Sequence, residues 1–172
     1  SSMTTTAPLP LPEHLSAIAM AARNRFSEQL LGGARDPWWT AVILTASSVR
    51  QADRYRDEIQ WRRERGIIPT NVEYLVVPDL DDTRIGSGGA TLNALHVLAQ
   101  TVLPASEATE LASWWAGQRV FIIHAGGDSR RLPQFSLSGK IFSTVPVKAP
   151  WGDASTVFDE LLVLSTAWVE RM

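Results

Sequence analysis

The sequence predicts an α/β fold with a largely parallel sheet and flanking helices. Three observations carry this. Short apolar, β-branched runs at 41–44, 72–77 and 120–123 read as buried strands. Helical patterns lie between them, and strands that alternate with helices favour parallel pairing. At 172 residues and 45% hydrophobic content, one domain with a real core is the default.

The elements follow in order. Residues 1–10 are rich in Thr and Pro and read as a disordered tail, with Ser1-Ser2 before Met3 a leftover of expression. Pro12 and Glu13 suit a first helical turn, and Leu15, Ile18, Ala19, Ala22, Phe26 and Leu30 form a stripe that Gly32 ends. Trp38-Trp39 lead into the first strand. Ser48 and Gln51 fit a capping box for a helix that stops near Gly66. Its outer face, with Arg50, Arg54, Arg56, Arg62, Arg63 and Arg65 among acids, reads as solvated rather than as a nucleic-acid patch; Glu58 and Arg62 form an i,i+4 pair. The strand at 72–77 precedes an acidic turn (Asp79, Asp81, Asp82). Leu92, Leu95, Leu98 and Ala99 then mark one helical face. A short helix carrying Trp114 and Trp115 stops at Gly117, before the strand at Val120. A short strand is expected over 141–145. Thr156 and Asp159 cap a last helix with Phe158, Leu161, Leu162, Ser165 and Trp168 on one face. The pairs Trp38-Trp39 and Trp114-Trp115 suit core or surface equally. The chain reaches Met172 inside a helical pattern, and three or four strands are few for this architecture, so a piece of a longer protein is expected.

Chemistry concentrates in His124-Ala-Gly-Gly-Asp-Ser-Arg-Arg-Leu-Pro133, followed by Gly139-Lys140. Glycines after a strand let the backbone approach a ligand without a Cβ in the way. Arg130, Arg131 and Lys140 add three positive charges, a composition suited to a polyphosphate. Lysine usage supports this: the chain has two lysines, Lys140 and Lys148, against fourteen arginines. A compact ammonium suits a single phosphate oxygen; a solvated loop lysine is the alternative.

A second glycine turn, Gly86-Ser-Gly-Gly-Ala-Thr91, lies between a strand and a helix. It suits either an anion at the helix N-terminus or a tight turn that packs the helix on the sheet. The dinucleotide fingerprint fails because Thr91 holds the third glycine's place, and the P-loop fails at Gln134 and Ile141. A serine hydrolase built on Ser129 fails because Arg131 stands where the nucleophile elbow needs Gly. His124 reads as a hydrogen-bonded core histidine at a strand end. A net charge of −2 gives no reason to expect nucleic-acid or membrane binding, and the absence of cysteine excludes disulfides and zinc–thiolate sites. With no membrane-length apolar run and no signal pattern, a cytoplasmic protein is expected.

Taken in order, Ala41-Val-Ile-Leu-Thr-Ala46, Ile85-Gly-Ser-Gly-Gly-Ala-Thr-Leu-Asn-Ala-Leu95 and the His124–Pro133 motif with Gly139-Lys140 resemble the N-terminal region of the bifunctional L-fucokinase/GDP-fucose pyrophosphorylases. The resemblance runs from about Trp38 to the C-terminus. More broadly, residues 125–132 are similar to the sugar nucleotidyltransferase signature Ala-Gly-Gly-x-Gly-Thr-Arg-Leu. Gly126, Gly127 and Arg131 match it, and Lys140 matches the Lys that follows. Ser129, Arg130 and Gly139 depart from it, as suits the fucose branch.

The resemblance implies a Rossmann-like, incomplete nucleotidyltransferase core over 11–172, acting on GTP and fucose 1-phosphate to make GDP-fucose, with Mg²⁺. It implies Arg131 and Lys140 as catalytic phosphate clamps, with nucleotide and phosphate contacts from Gly126, Gly127, Arg130, Gly86, Gly88 and Gly89. The metal ligand, the base-reading residues and the oligomeric state are not assigned. Two alternatives stand beside this reading: a non-catalytic nucleotide or nucleotide-sugar binding domain, and a transferase that uses another nucleotide such as UTP. No kinase signature is present in these residues.

Overall fold

A computed structural model of the chain describes residues 13–31, 39–79, 86–102, 108–125 and 139–169. The expected tail at 1–10 and the helix stop at Gly32 lie outside the described residues.

The elements are α1 (Glu13–Leu30), β1 (Ala41–Ala46), α2 (Val49–Glu64), β2 (Glu73–Pro78), α3 (Gly86–Val102), α4 (Ala108–Ala116), β3 (Val120–His124), a 3-10 turn at Lys140–Phe142, β4 (Thr144–Lys148), β5 (Ala154–Thr156) and α5 (Val157–Val169). The main sheet is parallel with strand order β2-β1-β3. Central β1 is buried along its whole length, which its unbroken apolar run requires. Ala41 pairs with Glu73 on one side and Val120 on the other, and the register brings Thr45 beside His124 at the carboxyl edge.

Alternation along β1 builds two cores. Val42, Leu44 and Ala46 face α1, α2 and α5, meeting Phe26, Tyr55, Ile59, Phe158 and Leu162. Ala41 and Ile43 face the other way, toward Ala94 and Leu98 of α3 and the edge-on pair Trp114–Trp115 of α4. The result is a helix–sheet–helix sandwich, as an α/β reading requires. Trp39 belongs to the first core: its indole N–H donates to Ser165 Oγ at 2.8 Å and its ring stacks on Phe121.

Both expected caps form, the second as a full capping box and the first with Gln51 reaching one residue further back, to Ser47. The Gln51 amide donates to Ser48 Oγ at 3.2 Å, and Gln51 Oε1 accepts from the Ser47 amide at 2.9 Å. The Thr156 amide donates to Asp159 Oδ2 at 2.9 Å, while Asp159 N reaches Thr156 Oγ1 at 3.4 Å. Gly66, at φ +64°, closes α2.

Five expectations are corrected. The strand expected over 141–145 is a 3-10 turn followed by β4, because Ile141 and Phe142 turn inward to fill the core; β4 then forms a small antiparallel hairpin with β5. Arg62 is not on a solvated face: it is 2% exposed and paired with Asp159 of α5. On α3 the buried face is Ala90, Ala94 and Leu98, with Leu92 72% exposed, because small residues let the helix approach the sheet. Leu15, Ile18 and Trp168 lie at helix ends beyond the packed region and are exposed. His124 is hydrogen-bonded, but its side chain is exposed rather than in the core.

Candidate functional site

In an open parallel sheet, ligands bind beyond the carboxyl ends of the strands, where the strand order reverses. The chain leaves β1 for β2 on one side and returns to β3 on the other, so this reversal lies between β1 and β3. The residues there are Thr45 and Ala46 at the end of β1, His124 at the end of β3 with Ala125 after it, and the first turns of α3.

His124, where the second motif begins, meets the first motif at this edge. His124 Nε2 lies 3.1 Å from Thr91 Oγ1, joining the end of β3 to the start of α3. The Thr91 hydroxyl also donates to the Ser87 carbonyl at 2.8 Å, which leaves its lone pairs to accept from an Nε2-protonated imidazole.

Gly86 opens α3 at φ +72°, a conformation that favours glycine. Among the described residues no atom lies within 4 Å of a Cβ built on Gly86 or on Gly88. At Gly86 and Gly88 the packing reading finds no described neighbour, and the anion reading of the helix N-terminus stands beside it. Gly89 follows in the same first turn.

Lys140 begins the 3-10 turn with its side chain exposed. Its place relative to β3 is fixed through Tyr55 of α2. The Tyr55 hydroxyl donates to the Ala125 carbonyl at 2.9 Å, and the same hydroxyl packs where a Cβ on Gly139 would fall. Burial pushes the phenol up to about 12, so it stays a donor across the neutral range. Of the expected site residues, Gly86, Gly88, Gly89 and Lys140 are thus at or beside the carboxyl edge. Gly126, Gly127, Arg130 and Arg131 lie outside the described residues.

The sequence pointed to neither Tyr55 nor Thr91 as part of this arrangement. Tyr55 sits between Arg54 and Arg56 in a charged stretch; its signal is the buried spacing Ala52, Tyr55, Ile59, Arg62. Thr91 stands out in the sequence only for holding the third glycine's place.

Among the described residues no three His, Cys, Asp or Glu side chains converge into a metal cradle. No helix among them is long and apolar enough to cross a membrane. A cleft of about 310 Å³ lies at the opposite, amino edge of the sheet, between Thr40, Glu73, Leu98, Trp114 and Gln118. It has neither glycine motif nor lysine.

Residues 112–172 match the family model described as the fucose pyrophosphorylase domain. Over 146 residues, 77% of this chain, the sequence is 36% identical to the bifunctional fucokinase/GDP-fucose pyrophosphorylase of Arabidopsis thaliana, covering 14% of that protein. Over 129 residues, 74% of this chain, it is 35% identical to the fucose-1-phosphate guanylyltransferase of Mus musculus, covering 20% of it. It is also 38% identical over 89 residues to the L-fucokinase/L-fucose-1-P guanylyltransferase of Bacteroides fragilis. No solved structure matches the chain. The chain spans a fifth or less of the length of these relatives. The resemblance read from the two glycine motifs is therefore borne out: residues 112–172 match the fucose pyrophosphorylase domain, and about three quarters of the chain is similar to these relatives.

Proposed function

We propose that residues 11–172 form the N-terminal part of a guanylyltransferase that joins GTP and fucose 1-phosphate into GDP-fucose and releases pyrophosphate. The observation that carries this is the His124–Thr91 contact, which sets the end of β3, where the second motif begins, against the first glycine turn at the strand-order reversal; Tyr55 ties the turn that carries Lys140 to the same strand end. The relatives' names supply the substrates.

A phosphate oxygen of fucose 1-phosphate attacks the α-phosphorus of GTP. The P–O bond to the β-phosphate breaks, and pyrophosphate leaves with the electron pair. The nucleophile is already ionised near neutral pH, so no general base is needed. The remaining work is alignment and neutralisation of charge on the leaving group. In this reading the amides of Gly86, Gly88 and Gly89 face phosphate oxygens. Lys140 and Arg131 clamp the leaving phosphates, with Arg130 beside them, and Gly126 and Gly127 give close backbone approach. Mg²⁺ is proposed as the nucleotide's counter-ion, supplying charge neutralisation on the phosphates; the described residues offer no ligand set for it, and no step is routed through it. A cytoplasmic location is proposed with it.

The test is turnover in the full-length chain. Lys140→Ala is expected to lower turnover about 10²–10³-fold, the usual loss for one preorganised charge. Near-normal turnover overturns the assignment. Guanine-nucleotide binding without any turnover in the unmutated chain favours a binding-only domain, and a preference for UTP over GTP favours a different transferase.

A further inference from the structure

Tyr55 is fully buried in α2, and the proposed transfer does not use it. Three contacts set it apart from an ordinary core aromatic. Its hydroxyl donates to the Ala125 carbonyl at 2.9 Å. The β1–β3 ladder ends at the pair Thr45–His124, so Ala125 is the first residue beyond it, and Tyr55 satisfies its carbonyl in place of a strand. The same hydroxyl occupies the space where a Cβ on Gly139 would stand; Gly139, at φ +67° and without a side chain, brings the backbone directly onto the phenol. The ring edge then meets Phe142, the last residue of the turn that Lys140 begins, with centroids 5.3 Å apart.

One phenol therefore touches the end of β3 and both ends of the turn that carries Lys140. We infer that Tyr55 is a positioning residue: its hydroxyl and ring fix Ala125 and Gly139 against each other, and so set where the Lys140 ammonium stands relative to the carboxyl edge of the sheet. This rests on the reading of Lys140 as a phosphate clamp. A phenylalanine would fill the same core volume; only the hydroxyl ties the strand end to the turn. Burial raises the phenol's pKa, which keeps the tie protonated at working pH.

The test uses the full-length chain with Tyr55→Phe, which keeps the ring, and Tyr74→Phe as a control at a second buried tyrosine whose hydroxyl has no partner among the described residues. The first measurement is amide hydrogen exchange without substrate. Tyr55→Phe is expected to speed exchange at the Ser143 amide, which donates to Lys140 O at 3.2 Å, while Tyr74→Phe leaves it unchanged. Unaltered exchange in Tyr55→Phe overturns the inference.

The second measurement is a double-mutant cycle on turnover. Tyr55→Phe is expected to lower kcat roughly 3- to 10-fold with KM for GTP changed less, and to have no further effect in a Lys140→Ala background. Losses that multiply in full overturn the inference, because a merely structural defect acts independently of Lys140. Normal turnover in Lys140→Ala alone overturns the clamp reading. The substrate-free exchange then judges the anchoring separately, so the two failures are told apart.

Discussion

Arg62 Nε donates to Asp159 Oδ1 at 2.8 Å inside the core, with each side chain 2% exposed. The guanidinium also reaches Asp159 Oδ2, Thr156 Oγ1 and Glu58, and lies over the rings of Phe142 and Phe158. Burial works against its charge, but the hydrogen bonds and charges of Asp159 and then Glu58 outweigh that and raise its pKa further. The pair clasps α2 to α5 directly behind the turn that carries Lys140.

Breaking one partner of this pair leaves the other charge buried and unmatched. Asp159→Leu alone is expected to cost about 3–5 kcal/mol. Arg62→Met combined with Asp159→Leu is expected to recover much of that loss, because neither charge is then stranded. Denaturant midpoints of the single and double variants decide it. A double variant as unstable as the sum of the single ones contradicts the account.

Arg62 also shows what the sequence conceals. Its i,i+4 spacing to Glu58 is the signature of a surface pair, and that contact does form at 2.7 Å. The partner that buries it is ninety-seven residues away on α5, at a separation that no local pattern reports. The strands were legible because β-branched runs fix both type and burial. The capping boxes were legible because their chemistry spans three residues. The inner face of α3 was legible only at Leu98, because Ala90 and Ala94, rather than Leu92, are its other buried residues. The glycine motifs were visible as candidate phosphate loops, but Tyr55 and Thr91, which tie the end of β3 to the Lys140 turn and to α3, are ordinary residues until the fold brings them together.

The chain's two tyrosines, Tyr55 and Tyr74, make opposite predictions on loss of the hydroxyl. Tyr55→Phe strands the Ala125 carbonyl and is expected to cost about 1–3 kcal/mol. The Tyr74 hydroxyl is buried with no partner among the described residues, so Tyr74→Phe is expected to be neutral or slightly stabilising. Thermal denaturation of the two variants distinguishes them; equal losses contradict the assignment.

The same tyrosines set an alkaline limit. Burial raises both phenols above their ordinary value of 10.0, Tyr55 to about 12 and Tyr74 further, with Arg63 partly opposing the latter. The folded state therefore holds protons that the unfolded state releases. Their contribution to stability is complete below pH 10 and is lost as pH rises through 10 toward 12. Unfolding free energy measured across that window is expected to fall, with tyrosinate absorbance appearing together with unfolding rather than before it. Tyrosinate absorbance in a still folded chain contradicts this.

Thr91 is half-buried and its contact with His124 lies in an exposed setting at the sheet edge, so its loss is expected to affect nucleotide binding more than stability. Thr91→Val keeps the shape of the side chain and removes the group that meets both His124 Nε2 and the Ser87 carbonyl. Under the proposed function, KM for GTP is expected to rise roughly 3- to 10-fold, one hydrogen bond's worth, while the melting temperature changes by only a few degrees. An unchanged KM removes this edge contact from the nucleotide site.

Gly139 and Gly66 share a positive φ, at +67° and +64°, and differ in what surrounds them. A Cβ on Gly66 meets no described atom within 4 Å, so Gly66→Ala carries only the left-handed penalty of about 1–2 kcal/mol. Gly139, with ψ at 155°, lies in a region that is essentially glycine's alone, and a Cβ there meets the Tyr55 hydroxyl and two ring carbons, so Gly139→Ala carries a backbone penalty of about 1–3 kcal/mol together with about 1–3 kcal/mol of overpacking. Relief requires the phenol to move, and movement breaks its bond to Ala125. Gly139→Ala is therefore expected to be clearly the less stable variant in denaturant titration. Shortening Tyr55 to leucine in the Gly139→Ala background is expected to restore part of the difference. If the two alanine variants lose equal stability, the phenol yields freely, and the close seating of the turn on Tyr55 is not a constraint.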